Sequence, residues 1–440
     1  APYGSARMTR AVRSVAVAQD VIASVSCALD EPVDPLDFLA AFPERQRFLW
    51  LRDADDEHVA AVGATATIEA AGDTRFADVS SALATLPLAG EAERAVLVGG
   101  FAFDAHARAS APWREFPAAR LVLPRLALVR RDGDTHLVAT ADAESGEAAR
   151  AGARQLLERT RAGLGRALAR GRRAAIKAAP QSPPSFRVRA LAPTAAWRDA
   201  VRAALDEVEA GRLTKVVLAR AIEVDAGATL DPLRVATRLR AAHPGCAVFA
   251  VLQGDAAFVG ATPELLARVD GDRLRTAAVA GSAARGERAR DDRARAAALR
   301  ASVKDRAEHA AVVDDLAGRL RPLCRRLTVP AAPRVLRTAV VLSLFGAAPP
   351  AAGSAATRTA RRARPRSRGC SSTRASRAAG TAAASAGSTR TTAAPASSAS
   401  RSAPPCCTAS ARSCTRAPAW CAARAGRPSS RKPVSSCARC

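Results

Sequence analysis

The chain changes character near residue 350, and that break bounds what it can fold into. Residues 351–440 hold 17 Lys and Arg and no Asp or Glu, and they lack Leu, Ile, Phe, Met, Tyr, Asn and Gln altogether. Val434 and Trp420 are the only large apolar side chains there. Such a segment cannot bury enough apolar area to offset the entropy of ordering it, so disorder is expected. Any packed core must come from the residues before it.

The same break localises the charge. The formal net charge is +26, from 67 Lys and Arg against 41 Asp and Glu. Without the 17 basic residues of the tail the body keeps 50 basic and 41 acidic groups, a net of +9. A nucleic-acid reading therefore applies to the tail alone. It is weak there, because Trp420 is the one aromatic residue and no RG-type repeat occurs. Cysteine follows suit: the body has only Cys27, Cys246 and Cys324, far apart, which suits a reducing compartment. The tail cysteines, among them Cys406, Cys407, Cys414 and Cys421, lack accompanying His and show no zinc spacing. No run reaches the ~18 apolar residues of a membrane span, and Asp20, Asp30 and Glu31 interrupt any signal-like run. A cytoplasmic protein with no membrane or nucleic-acid partner is expected.

Within the body, FLWLR (48–52), HVAAVGATA (58–66), AVLVGGFAF (95–103), ARLVLPRLALVRR (119–131) and THLVATA (135–141) read as strands, with a hairpin at Asp132-Gly133-Asp134. Residues 144–171 have helical spacing, and 177–186 form a Pro/Ser linker. A helix capped by Thr194 is predicted to run to about Leu213, with Trp197, Val201, Ala204, Leu205 and Val208 as its apolar stripe. A strand over 215–224, a helix near 231–242, a strand over 247–252, a hairpin about Asp270-Gly271-Asp272 and a helical run over 287–320 follow. Strands joined by tight turns and mixed with helices predict an α+β fold with large antiparallel sheets flanked by helices. The organisation expected is an N-terminal α+β part (1–180), a second, incomplete part carrying the chemistry (187–345) and the basic, acid-free tail (346–440).

The genetic code offers a reading of the tail beyond a solvated basic extension. If each true codon takes the last base of one codon and the first two of the next, Arg377–Thr392 permits RGWYGGGVGWLDADD. Ala399–Ser410 then permits VALRSALLHGE, Cys414–Cys421 permits LYAGAGLV, and Arg431–Cys440 permits ETRLKLRAL. Four protein-like strings in one order point to a shifted frame beginning near residues 335–355.

Four blocks of the body carry chemistry-bearing groups: LTKVVLARAIEV (213–224), FVGATPELLARV (258–269), TAAVAGSAARG (276–286) and SVKDRAEHAAVVDD (302–315). Taken singly, Lys215 could be a lysine snorkelling from a strand end. Glu264 could be a turn carboxylate favoured by a helix dipole. Glu308, in helical register with Val312 and Leu316, is either a buried salt-bridge partner for Arg306 or another arginine, or a metal ligand. Gly281 follows a strand where a backbone can approach a ligand closely. His309 reads as a packing group.

Together the blocks resemble the chorismate-utilising enzymes, most closely the isochorismate synthases of menaquinone and siderophore pathways, over roughly residues 35–340. KVVLAR (215–220), FVGATPELL (258–266), AVAGSAARG (278–286) and KDRAEH (304–309) carry the resemblance, with GGFAFD (99–104), Trp113 and Phe116 matching its N-terminal part. It implies chorismate as substrate and Lys215 as the base that activates water for attack at C2, which requires a lowered lysine pKa. It implies Glu264 as the acid that protonates the departing C4 hydroxyl, which requires a raised carboxyl pKa. Thr262, Ala280, Gly281 and Ser282 would bind substrate, and Glu308 would ligate Mg²⁺, its second carboxylate falling in the ETRLK string of the other frame. Ala280 stands where one type of aminodeoxychorismate synthase has a lysine nucleophile, which favours water over ammonia. The resemblance leaves salicylate synthase and an anthranilate synthase-like enzyme open, and it implies a monomer. A non-catalytic protein with a nucleic-acid-binding tail is the competing class. As translated, the chain is expected to be inactive, because residues 351–440 cannot supply the arginine, the glycine-rich turn or the second glutamate of such a site.

Overall fold

The computed structural model describes residues 20–89, 94–106, 113–177, 185–270, 272–346, 360–362 and 420–424. The first half runs β1 (Val21–Ala28), α1 (Pro35–Ala41), β2 (Gln46–Arg52), β3 (Glu57–Val62), β4 (Ala66–Ala70), α2 (Arg75–Ala84), β5 (Leu88–Ala89), β6 (Val96–Phe101), β7 (Ala119–Leu123), β8 (Leu126–Arg131), β9 (Asp134–Ala143) and α3 (Gly146–Lys177). The second runs β10 (Arg187–Ala190), α4 (Thr194–Glu209), β11 (Ile222–Asp225), α5 (Pro232–Ala242), β12 (Ala247–Gln253), β13 (Ala256–Thr262), β14 (Arg268–Asp270), β15 (Arg273–Arg275), β16 (Ala278–Ala284), α6 (Ala289–Ala301), α7 (Val303–Leu320), β17 (Cys324–Arg326), β18 (Arg334–Arg337) and β19 (Val341–Gly346). Two short strands of the tail, β20 (Ala360–Arg362) and β21 (Trp420–Arg424), complete the described elements.

An eight-stranded sheet, β13-β12-β2-β3-β8-β9-β1-β5, dominates the fold. It is antiparallel except for β1 with β5. Strand alternation sorts its side chains between two cores. Leu49, Leu51, Ala60, Val62, Val248, Ala250 and Leu252 face α1, α3 and α5. Phe48, Val59, Ala61, Phe249 and Val251 face a second sheet, where they meet Val96, Val98 and Val122. That sheet has the order β21-β6-β7-β4, and its far side closes on α2 through Ile68, Leu97, Leu121, Val79 and Ala82. Helices, sheet, sheet and helix thus form four layers, the α+β architecture that the strand pattern predicts. The eight-stranded sheet draws on both sides of the 177–186 linker, most of which lies outside the described residues: β12 pairs with β2 from Val248↔Leu51 to Gln253↔Gln46.

A smaller sheet, β16-β19-β18, carries α6 and α7. Its core is Ala296, Leu299, Leu342 and Leu344. Ser302 breaks the 287–320 helical run by accepting from the Asp305 amide at 3.2 Å, which starts α7 afresh.

Several local expectations are corrected. The 58–66 run is two strands, β3 and β4, and the 119–131 run is β7 and β8. β1, α1 and α2 are elements the pattern did not predict. The helix from Thr194 ends at Glu209, and its N-cap is Pro193, with no side-chain cap bond. The strand predicted over 215–224 is reduced to β11; residues 215–221 form no strand. An apolar run is only half of a strand, and the other half is a neighbour to pair with. In the tail, β20 pairs with β15 and β17, and β21 with β6. Backbone pairing onto an open edge needs no apolar side chains, so composition does not forecast it. The rest of the 346–440 tail, with the disorder expected of it, lies outside the described residues.

Gly171 of α3 crosses α1 closely enough that a Cβ there would lie 2.7 Å from the Ala41 nitrogen. Gly171→Ala should gain about 1 kcal/mol of helix propensity and lose about 1–3 kcal/mol to overpacking. A lower urea midpoint is expected; a raised one would mean that the two helices separate without cost.

Candidate active site

Three of the four chemistry-bearing blocks meet at α7. Gly281 lies inside β16, not after a strand as the sequence suggests, at a bulge where the register with β19 shifts between Ala280 and Ser282. Its φ of +71° is the left-handed conformation that glycine adopts freely. A Cβ there would also lie 2.9 Å from the Asp305 Cβ, so the bulge rests on the first turn of α7. Ala280 is buried beside it, and Ser282 is exposed with its hydroxyl 3.2 Å from that of Ser343 on β19.

Glu308 stands three residues beyond Asp305, on the same helix face. Its Oε1 accepts from Lys215 Nζ at 2.9 Å, with the two side chains 15% and 14% exposed. Glu308 is therefore a nearly buried ion-pair partner, and its cation is Lys215, not an arginine. His309 is buried and packs on Gly346, in keeping with a packing role.

The remaining block sits on the large sheet. Thr262 ends β13 opposite Ala247. Its hydroxyl accepts from the Glu264 amide at 3.1 Å, which fixes the turn through Pro263. β13 is anchored by Phe258, whose ring lies edge-on to Trp113 at 5.5 Å and to Phe116 at 6.3 Å. The structure thus joins Lys215 to Glu308 beside the Gly281 bulge, and Thr262 to Glu264 on a different sheet.

The pair occupies both groups, so neither Lys215 nor Glu308 is free to engage a ligand while it is closed. Mg²⁺ needs several oxygen ligands in octahedral array. Among the described residues no three of His, Cys, Asp and Glu converge, and Glu308 is taken by Lys215. The described residues do not by themselves fit a Mg²⁺ site. The ETRLK segment expected to complete it corresponds to residues outside those described. A gap between the two large sheets, lined in part by Gln46, Arg47, Arg120 and Gln253, has a volume of about 20 Å³. That is room for a single water, and none of the candidate residues lines it.

Sequence reasoning missed the support under the site. Asp305 both accepts from the hydroxyl of Ser302, the N-cap of α7, and backs Gly281; the Ser-x-x-Asp spacing from Ser302 is the signal that marks it. Asp292 of α6 accepts from Arg285 Nε at 2.6 Å and from the Gly286 amide at 3.1 Å, and it lies 3.5 Å from Arg337. It thereby ties the end of β16 to β18. The Arg285 hydrogen bond, with that of Gly286 and the nearby Arg337 charge, holds the Asp292 carboxyl below the usual range.

The family model described as chorismate binding enzyme matches residues 8–347. The salicylate biosynthesis isochorismate synthase of Pseudomonas aeruginosa is 32% identical over 340 residues, 75% of this chain and 68% of that protein. The isochorismate synthase EntC of Escherichia coli is 36% identical over 128 residues, 29% of this chain and 33% of that protein. In structure, the menaquinone-specific isochorismate synthase of Escherichia coli aligns with a TM-score of 0.57 at 24% identity, covering 74% of this chain and 70% of that one. Among the described residues no helix is long and apolar enough to cross a membrane.

Two predictions concern this region. Lys215→Met strands a mostly buried carboxylate and should cost about 1–3 kcal/mol. Adding Glu308→Gln should restore much of that loss, and a double-mutant cycle in urea reads the coupling. Additive losses would show that the pair does not hold in solution. For Asp292 the folded carboxyl is the stronger acid, so its contribution is intact above the ordinary value of about 3.9. It is lost as pH falls through the lower folded value. Asp292→Asn should reduce stability at pH 7 and leave a shallower fall in stability below about pH 4; an unchanged acid limb would remove Asp292 from the cause.

Proposed function

Because the chain belongs to the chorismate-binding enzyme family, we propose that its site is built to convert chorismate to isochorismate. The observation that carries this is the convergence of Lys215, Glu308 and the Gly281-Ser282 bulge on one face of α7, the bulge resting on Asp305.

In this reading Lys215 parts from Glu308, gives up its ammonium proton to solvent and, as the neutral amine, takes a proton from water. The water oxygen bonds to ring C2 as the ring double bonds shift and the C4–oxygen bond breaks. Glu264 gives its proton to the departing hydroxyl, so one water is consumed and one is released. The backbone at Gly281 and Ser282 binds a substrate carboxylate, with Thr262 fixing the turn that presents Glu264. Buried Ala280 offers no amine to attack the ring, which supports water as the nucleophile. Mg²⁺, which the resemblance implies, would have Glu308 as its candidate ligand among the described residues, and Glu308 is held by Lys215. The partner is chorismate, with the protein acting as a monomer in the cytoplasm.

We also infer that the chain as translated is inactive. Chorismate incubated with it and Mg²⁺ should give no isochorismate by chromatography. The product of a frame-restored gene should give isochorismate, with Lys215→Ala and Glu264→Gln each lowering kcat by about 10²–10⁴-fold. Salicylate or anthranilate as the product would replace this assignment, and turnover by the chain as translated would refute its inactivity.

A further inference from the structure

A carboxylate as nearly buried as Glu308 needs a cation beside it, and either a metal ion or a side chain can serve. The supply of oxygen ligands decides between them. All 41 acidic side chains of the chain lie at or before Asp315. Only Glu91 and Glu93 fall outside the described residues. The tail as translated therefore has no side-chain carboxylate to bring to Glu308. Among the described residues no three of His, Cys, Asp and Glu converge. The next acid on that face of α7, Asp305, already accepts from the Ser302 hydroxyl at 2.5 Å. Glu264, the other acid of the candidate site, belongs to the turn that leaves β13 on the large sheet.

Lys215 supplies what the carboxylate lacks. Its Nζ donates to Oε1 at 2.9 Å, from a side chain as buried as its partner. Because it is part of the chain, its effective concentration at the carboxylate is on the order of millimolar or more. A free Mg²⁺ ion would have to displace it and also shed tightly held water, in exchange for a single carboxylate. The donor set therefore suits a tethered ammonium and not an octahedral metal ion.

We infer that Lys215 is the resident cation of the Glu308 site: in the chain as translated its ammonium stands in the place of a divalent metal, and the site takes no Mg²⁺. Truncating Lys215 turns the same carboxylate into a receptor for a small free cation, a primary alkylammonium above all. The inference rests on the ion pair and on where the carboxylates lie, not on the reaction assigned above, so its test reads metal binding and stability and not turnover.

The test strips the full chain of metal and titrates it with Mn²⁺, the free ion being read by electron paramagnetic resonance. Its binding curve should coincide with that of Glu308→Gln. The urea midpoint should be the same in MgCl₂ as in NaCl of equal ionic strength, because a metal that bound only the folded chain would raise it. Lys215→Ala should lower the midpoint. Propylammonium, which matches the deleted part of the side chain, should restore most of that loss and leave the full chain unchanged. Lys215→Ala combined with Glu308→Gln should not respond to it. A Mn²⁺ site present in the full chain and lost in Glu308→Gln overturns the inference, as does stabilisation of the full chain by Mg²⁺ that Glu308→Gln removes. A folded Lys215→Ala chain that propylammonium does not restore overturns it too. If Lys215→Ala does not fold, the Mn²⁺ curves and the MgCl₂ comparison decide without it.

Discussion

The seam between β2 and β12 is the contact on which the rest of the architecture depends. It joins residues 46–51 to residues 248–253 across nearly half the chain. Every residue of β12 is buried, because it is covered by α5 on one face and by the second sheet on the other. A slip of one residue along this seam would turn Phe249 and Val251 towards the helices and Val248, Ala250 and Leu252 towards the second sheet. The register is therefore held by both cores at once. It also fixes β13, and with β13 the turn that carries Thr262 and Glu264.

The candidate site depends on a second, weaker frame. Among the described residues the sheet β16-β19-β18 packs on α6 through a cluster of four buried apolar side chains, and charged groups do part of its structural work. Arg285, Asp292 and Arg337 tie its strands to α6, and Lys215 is held against α7 by Glu308. Nearly buried ion pairs contribute little net stability but are costly to break from one side. Such a region is specific in geometry without being firm, in contrast to the four layers built around the eight-stranded sheet.

How much could be read in advance follows from this division. The strands of the large sheet were legible because the short apolar runs at FLWLR and at 247–252 encode burial directly. Lys215, Glu264, Gly281 and Glu308 stood out through their blocks, and α7 does gather three of them. The pairing of Lys215 with Glu308 was not legible: Arg306 is closer in sequence, and a distance of 93 residues gives no local signal. Nor was the loss of the strand at 215–221, since KVVLAR has every propensity for a strand and lacks only a partner. α1 and α2 went unread because each is short and its apolar stripe is brief.

The β2–β12 seam also sets a timetable. During synthesis, β2 leaves the ribosome while its partner is still almost 200 residues from being made. At ordinary elongation rates that is a wait of roughly 10–40 s. Through that interval β2 presents an open, apolar edge beside an already paired β3. The first half can collapse around α1 and α3, but it stays a sheet with one ragged side until β12 arrives. A nascent chain of this kind is a natural client for chaperones that shield strand edges, and its yield in a cell depends on the speed of translation as well as on the stability of the finished fold.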